Sequence, residues 1–251
     1  MGSVAWGAPF SAGRPGQVAM VHVGRSGSRV LASLLDQQPR VFWDGEIFEP
    51  DHRIWRPGRD PLSVLDRRRR LAGRRWYGFE LKFFHARLVG VPFPELVEGL
   101  FERGFERFVV LRRRNTLRKV VSSIRLHAER RSHRRTGEAT LKRFALDVGD
   151  VRIDRDRKPL VDYLEDYERQ FERLDALLAG REVLRLTYEE DIAADPTRAY
   201  RRCCEFLDLA PRPVSVTYGR TNPFPLEEIL LNWSEVEEAL RGGPFEWMLR
   251  D

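Results

Sequence analysis

The sequence predicts a three-layer α/β fold, a central parallel sheet flanked by helices, with a P-loop-like anion-binding turn at the end of its first strand. Three observations lead there. Strand and helix patterns alternate from residue 17 to residue 207, the order that a parallel sheet with crossover helices requires. Two of the strands end in loops carrying residues suited to anions. Hydrophobic residues make up 42% of the 251 positions, enough for the core of one such domain.

The first element is the apolar run from Gln17, which breaks at Gly24-Arg25-Ser26-Gly27-Ser28 and passes directly into a helical pattern ending at Leu35. A strand turning through small residues into a helix leaves several backbone N–H groups aimed at one point, beside the positive end of the helix dipole. Arg25 adds a full charge at the same place. The segment reads as a cradle for phosphate or sulfate, against the plainer reading of an ordinary strand-to-helix turn. It is not a Walker A loop, because Gly24 and Gly27 are only three apart and no Lys-Ser or Lys-Thr pair follows. It also lacks the three-glycine dinucleotide fingerprint.

The next elements follow from periodicity. Residues 40–43 form a short apolar piece before the turn signal Asp44-Gly45-Glu46. Residues 50–75, rich in Pro and Arg, read as a surface excursion. Tyr77 to Phe84 alternates as a strand, Phe93 to Arg103 has helical spacing, and Phe105 to Leu111 reads as a buried strand. Thr116 to Arg130 is a helix with Leu117, Val120, Val121, Ile124 and Leu126 on its inner side. Residues 131–157 are highly charged and read as a mobile or substrate-shaping region. Pro159 to Leu178 is a strongly periodic helix, Val183 to Leu186 a short strand, and Pro196 to Leu207 a helix opened by proline. A proline-rich stretch then leads to an amphipathic segment from Leu226 to Leu240. Residues 1–16 read as a flexible lead-in and 17–251 as a single domain.

The second anion signal is Leu111-Arg112-Arg113-Arg114-Asn115, where a strand ends in three arginines; Ser122 lies eight residues past Arg114, in the following helix. In a parallel sheet both loops open at the carboxyl edge, so this one faces the first across a crevice. Two such sites at one crevice suit a ligand with two separated phosphate-type groups. The competing reading pairs Arg112 to Arg114 with surface carboxylates.

Together these motifs resemble the sulfotransferases that use 3′-phosphoadenosine 5′-phosphosulfate (PAPS). Gly24-Arg25-Ser26-Gly27-Ser28 is similar to that family's 5′-phosphosulfate loop, and Arg114 with Ser122 to its 3′-phosphate motif. Arg113-Arg114-Asn115-Thr116-Leu117-Arg118, the segment Leu186 to Asp191 and the tail Asn222 to Leu226 with Asn232 resemble bacterial carbohydrate-type members, of the kind that sulfate nodulation factors or mycobacterial glycolipids. The likeness spans about residues 17 to 250 and rests on motif order, since each motif alone is weak.

The resemblance implies transfer of a sulfuryl group from PAPS to a hydroxyl of a small-molecule, saccharide or glycolipid acceptor, with adenosine 3′,5′-bisphosphate (PAP) as product and no metal. Such chemistry requires charge stabilisation on the transferring and leaving oxygens and removal of the acceptor proton. It implies that Arg25, the backbone of Ser26, Gly27, Ser28 and Arg29, and the Ser28 hydroxyl hold the phosphosulfate. Arg114 and Ser122 then hold the 3′-phosphate, and Arg220 falls in a stretch that in relatives helps cover the cofactor. For the base, Glu46 occupies the position that several bacterial relatives use, with Glu49 and His85 as the alternatives. Lys82 is placed either in the crevice or on the surface.

Net charge is +6, with 44 Lys and Arg against 38 Asp and Glu, nearly all of the positive charge being arginine. That balance points to an anionic partner, and two other function classes compete for it. An Arg-rich nucleic-acid-binding protein would explain the charge but not the paired loops or the lack of interleaved stacking aromatics. A P-loop kinase is disfavoured by the missing Gly-Lys-Ser/Thr and the missing magnesium-binding Asp at a strand end. The runs Arg67 to Arg75 and Arg130 to Arg135 read as solvated surface. The adjacent Cys203 and Cys204 read as packing residues of a helix in a reducing compartment. With no apolar run of membrane-spanning length, secretory signal or fitting myristoylation signal, the expectation is a cytoplasmic protein. A homodimer is left open.

Overall fold

The computed structural model describes residues 15–129, 140–153, 156–219 and 223–250. Five parallel strands form the central sheet: β1 (Gln17–His22), β2 (Val41–Trp43), β3 (Trp76–Lys82), β4 (Arg107–Arg112) and β7 (Glu182–Thr187), ordered β2-β3-β1-β4-β7. β1 lies at the centre, with Val21 registered against Leu81 of β3 on one side and Val110 of β4 on the other. The order reverses at β1, so the loops after β1 and β4 stand side by side at the carboxyl edge. Such reversals are where open α/β sheets form ligand crevices.

The period-two alternation of each strand divides the sheet cleanly. Val18 and Met20 of β1, with Val109 and Leu111 of β4, pack under α1 (Ser28–Leu35) and α7 (Pro196–Phe206). The opposite face, with Ala19, Val21, Phe79, Leu81, Phe108 and Val110, is covered by α2 (Pro61–Arg70), α4 (Phe93–Glu102), α5 (Thr116–Glu129) and α6 (Leu160–Leu177). Both faces are dry, as a parallel sheet with helices on each side demands. The aromatic rings of Phe79 and Phe105 meet edge-on at 5.6 Å in this second layer. Each fully buried ring of this kind contributes about 1.5–3 kcal/mol.

Local chemistry sets the helix ends. Asp60 accepts from the Ser63 amide at 2.8 Å and Asp195 from the Thr197 amide at 2.9 Å, each followed by a proline at the first helical position. In α6 the buried Leu160, Leu164, Tyr167, Phe171 and Leu174 recur at helical spacing. Cys203 and Cys204 are both buried and unbridged on α7, as their place in the pattern implies.

Four segments depart from the periodicity reading. The third strand stops at Lys82, and Phe83–Val89 is a helix, α3, rather than the end of the strand. The cause is local: the Lys82 amide donates to Nδ1 of His85 at 3.1 Å, which closes a turn. Residues 50–75 are not a mere surface excursion, because Trp55, Val64, Leu65 and Ala72 are core residues and 61–70 form α2. Of the charged stretch 131–157, Leu146, Val151 and Ile153 also join the core, and β5 (Val151–Ile153) pairs antiparallel with β6 (Asp156–Lys158). The C-terminal amphipathic segment is broken into α8 (Leu226–Ile229) and α9 (Trp233–Leu240). No helix among the described residues is long and apolar enough to cross a membrane.

Candidate active site

The loop after β1 is held in a conformation that few side chains tolerate. Arg25 has φ +68° and Gly27 φ +86°. A Cβ on Gly27 would also stand 2.9 Å from Ile192 and 3.0 Å from Tyr188, so both backbone and space require glycine there. Ser26 folds back to donate to the Val23 carbonyl at 2.7 Å, and α1 begins at Ser28. The first-turn amides of α1 have no intrahelical acceptor, and the helix starts directly after the β1 loop, at the carboxyl edge of the sheet.

The β4 loop meets this one directly. Arg25 Nε donates to Ser122 Oγ at 2.9 Å, and Arg113 donates to the Arg25 carbonyl at 2.9 Å. The Arg113 guanidinium lies 4.5 Å over the Tyr188 ring. Burial first, then the charges of Arg113 and Arg29, pull the Arg25 guanidinium down to about 10. Several cations gathered in a half-buried crevice repel one another, and an anion between them relieves that cost.

The segment Tyr188–Ile192, a π-helical turn after β7, closes the third side. Glu189 accepts from the amides of both Arg114 and Asn115 at 3.1 Å. Asp191 accepts from the Thr187 amide at 2.8 Å and from Arg202 at 2.7 Å. The Arg114 side chain is 52% exposed and pairs with Glu190 at 2.8 Å. Asn115 donates to the Met248 carbonyl at 2.8 Å and Arg118 to the Phe224 carbonyl at 2.5 Å, so both tie the C-terminal segment over α5. Arg220 lies outside the described residues.

Beside the β1 loop stands a chain of charged groups. Lys82 Nζ is 2.7 Å from Glu46 Oε2 and 2.9 Å from Glu49 Oε2. Glu49 in turn lies 3.5 Å from Nε2 of the fully buried His85. On the inner side, His22 Nε2 stands 3.1 Å from Glu80 Oε2, and the Trp43 indole donates to Glu80 at 3.3 Å. Burial would raise the Glu49 carboxyl, but His85 and Lys82 outweigh it and bring it to about 2. For Lys82 burial works downward, and the two glutamates outweigh it and raise the ammonium. His85 is lowered, chiefly by burial. Burial also pushes Glu80 up, and His22 and Trp43 return it below its ordinary range.

Ligand atoms of His22, Glu46 and Glu80, and of Glu46, Glu49 and His85, come within 4.8 Å of one another in two triplets. The sequence shows no such ligand cluster. In both triplets the Glu46 carboxylate already has the Lys82 ammonium as its cation.

The structure therefore brings Arg25, Ser26, Gly27, Ser28, Arg29 and Ser122 to one crevice, with Glu46 and Lys82 at its flank. Arg114 reaches the same edge but turns to Glu190. His85 is buried behind Glu49. Sequence reasoning passed over His22 and Glu80, and gave Arg113 and Tyr188 no role beyond membership of their motifs. A buried pair such as His22 and Glu80 needs two strands in register before it exists, although a histidine and a glutamate inside otherwise apolar strands are a visible signal.

No family model matches the sequence. No curated protein matches it either. Solved structures do. The sulfotransferase from Alicyclobacillus acidocaldarius superposes over 93% of this chain and 94% of its own, with a TM-score of 0.50 and 16% identity. The two share a fold. Retinol dehydratase, solved in a complex with retinol and PAP, aligns over 81% of this chain and 63% of its own at 17% identity, with a TM-score of 0.33, too loose a superposition to carry an argument.

Proposed function

We propose that the protein is a sulfotransferase that moves a sulfuryl group from PAPS to an acceptor hydroxyl and releases PAP. The observation that carries this reading is the meeting of the two strand-end loops, Arg25 on Ser122, within a crowd of guanidinium groups. The fold shared with a bacterial sulfotransferase supports it. The residues fit a doubly anionic ligand: first-turn amides and Arg25 for one charged group, Ser122 and Arg114 for the other.

PAPS supplies an activated sulfuryl group on a phosphate leaving group. The chain's own residues do the rest. The α1 amides and Arg25 hold the oxygens on which charge builds as the sulfur–oxygen bond to phosphate breaks. Glu46 takes the acceptor proton as the new oxygen–sulfur bond forms. Lys82, 2.7 Å from Glu46, holds that carboxylate in place and lines the same cleft as Val23 and Gly24 of the β1 loop. Arg114 leaves Glu190 for the 3′-phosphate, an exchange of one exposed ion pair worth at most about 1 kcal/mol.

Calorimetry with PAP, together with transfer of labelled sulfate from PAPS, tests the reading. PAP binds the wild type, and Arg114→Ala weakens it by about a hundredfold, the loss of a charge-assisted phosphate contact of ~3 kcal/mol. No binding by the wild type, or equal binding by the variant, sinks the assignment.

A further inference from the structure

Three elements bring side chains to one point near the carboxyl edge of the sheet. His22 ends β1 and Glu80 lies in β3. Glu46 follows β2 in a turn that the Glu80 amide fixes by donating to the Gly45 carbonyl at 2.9 Å. The ligand atoms of these three residues all fall within 4.8 Å of one another. We propose that His22, Glu46 and Glu80 form a binding site for a divalent transition-metal ion, zinc foremost.

The buried pair is the decisive feature. His22 is fully buried and Glu80 is 4% exposed. Their Nε2 and Oε2 atoms stand 3.1 Å apart, yet neither makes an aligned hydrogen bond among the described residues. Nδ1 of His22 lies 3.2 Å from the Val23 carbonyl. A carbonyl only accepts, so Nδ1 carries the ring proton, and Nε2 of the neutral imidazole turns a lone pair on Glu80. Two buried acceptors so close call for a cation between them. Two ligand atoms on one tetrahedral zinc, each at about 2.0–2.1 Å, stand roughly 3.3 Å apart, close to the spacing seen here.

The surroundings match a metal ligand set. A ligating histidine commonly donates its other ring N–H to a backbone carbonyl, and ligating carboxylates are themselves hydrogen-bonded. Val23 supplies the first of these contacts, and the Trp43 indole, donating to Glu80 Oε1 at 3.3 Å, the second. Glu46 is partly exposed, which gives an ion a way in. Three protein ligands with water in the fourth position is a common zinc arrangement, and an imidazole among carboxylates favours such an ion over magnesium or calcium. Lys82 holds one oxygen of Glu46, but a carboxylate has lone pairs for a second cation. Glu46, Glu49 and Glu80 carry three negative charges against the one positive charge of Lys82, so a divalent ion brings the cluster to neutrality. In the neighbouring triplet of Glu46, Glu49 and His85 the ammonium touches both carboxylates and takes the place of an ion.

The test titrates zinc into the tag-free full chain by calorimetry and follows cobalt(II) by its visible absorption. The wild type is expected to bind a single equivalent and to give the cobalt bands. His22→Ala and Glu80→Gln should lose the bands and weaken zinc by at least the roughly hundredfold that even outer-shell changes can reach. Both positions are buried, so the partly exposed Glu46→Gln, with the same expected loss, decides the matter where those variants do not fold. Glu49→Gln, outside the triplet, should keep the bands. No zinc binding by the natively folded wild type overturns the proposal and leaves a proton as the cation between His22 and Glu80. Zinc binding that Glu46→Gln leaves unchanged also overturns it, as does loss of the bands in Glu49→Gln. PAP binding has no part in these outcomes, so the metal site and the sulfotransferase reading fail separately.

Discussion

Arg25 and Ser122 are 97 residues apart in the chain and 2.9 Å apart in space. Their contact joins the loops of two neighbouring strands at one crevice. Neither loop alone carries more than the generic chemistry of a strand end, whereas the joined pair has a defined span and several fixed donors.

Replacing Ser122 by alanine should lower PAP affinity about tenfold to a hundredfold, as expected when a hydrogen bond to a charged group of ~1.5–3 kcal/mol is lost. Calorimetry measures it. Unchanged affinity would mean that the hydroxyl serves Arg25 alone.

Glu190 holds Arg114 by a surface ion pair of 2.8 Å. If that arginine must move to a phosphate, Glu190→Ala frees it, and PAP affinity should rise about twofold to fivefold, in keeping with the small worth of exposed pairs. A fall in affinity would show that Glu190 positions Arg114 instead of competing for it.

Glu46→Gln keeps the size of the side chain and removes its basicity. Turnover should drop by roughly a hundredfold to ten-thousandfold, the usual contribution of a general base, while PAP still binds. Single-turnover measurements with labelled PAPS separate the two, and full activity would rule the base role out.

The Glu49 carboxyl is lowered from its ordinary 4.5 to about 2. A group lowered on folding binds fewer protons in the native state, so its stabilisation is complete above pH 4.5 and is lost as pH falls from there toward 2. Denaturant midpoints recorded across that window should fall for the wild type and fall less steeply for Glu49→Gln. Identical slopes would count against the His85 and Lys82 partnership.

Gly27→Ala places a Cβ at φ +86° and within 3.0 Å of two side chains. A stability loss of about 2–3 kcal/mol is expected from strain and overpacking together. A melting temperature equal to the wild type would mean that the β1 loop can take another conformation.

The sheet was legible because its strands are short apolar runs punctuated by turn residues and separated by periodic helices. Leu117, Val120 and Val121 fall where the helical pattern puts them. The strand-to-helix switch at Phe83 was not legible, since it depends on the His85 ring capturing one amide rather than on periodicity. Residues 50–75 misled for a similar reason. Their arginines dominate the composition, yet Arg68 is consumed by Asp44 and Arg69 by Asp66 and the Arg103 carbonyl, leaving Trp55, Val64 and Leu65 to fill the core. At the site, the Arg25 and Ser122 motifs were readable as residue types at strand ends. The His22–Glu80 pair was not, and Arg113 and Tyr188 were visible only as members of their motifs, because each makes its contacts with a neighbour distant in sequence.

The central place of β1 has a consequence for biosynthesis. Its loop leaves the ribosome early, but Ser122, Tyr188 and Glu189 follow much later, and β1 gains both its neighbours only when β4 has been made. Until then the early arginines meet a cell full of nucleotides and nucleic acid with no formed crevice to discriminate among them. On the proposed function, selectivity for one anion is thus acquired late, on closing the sheet.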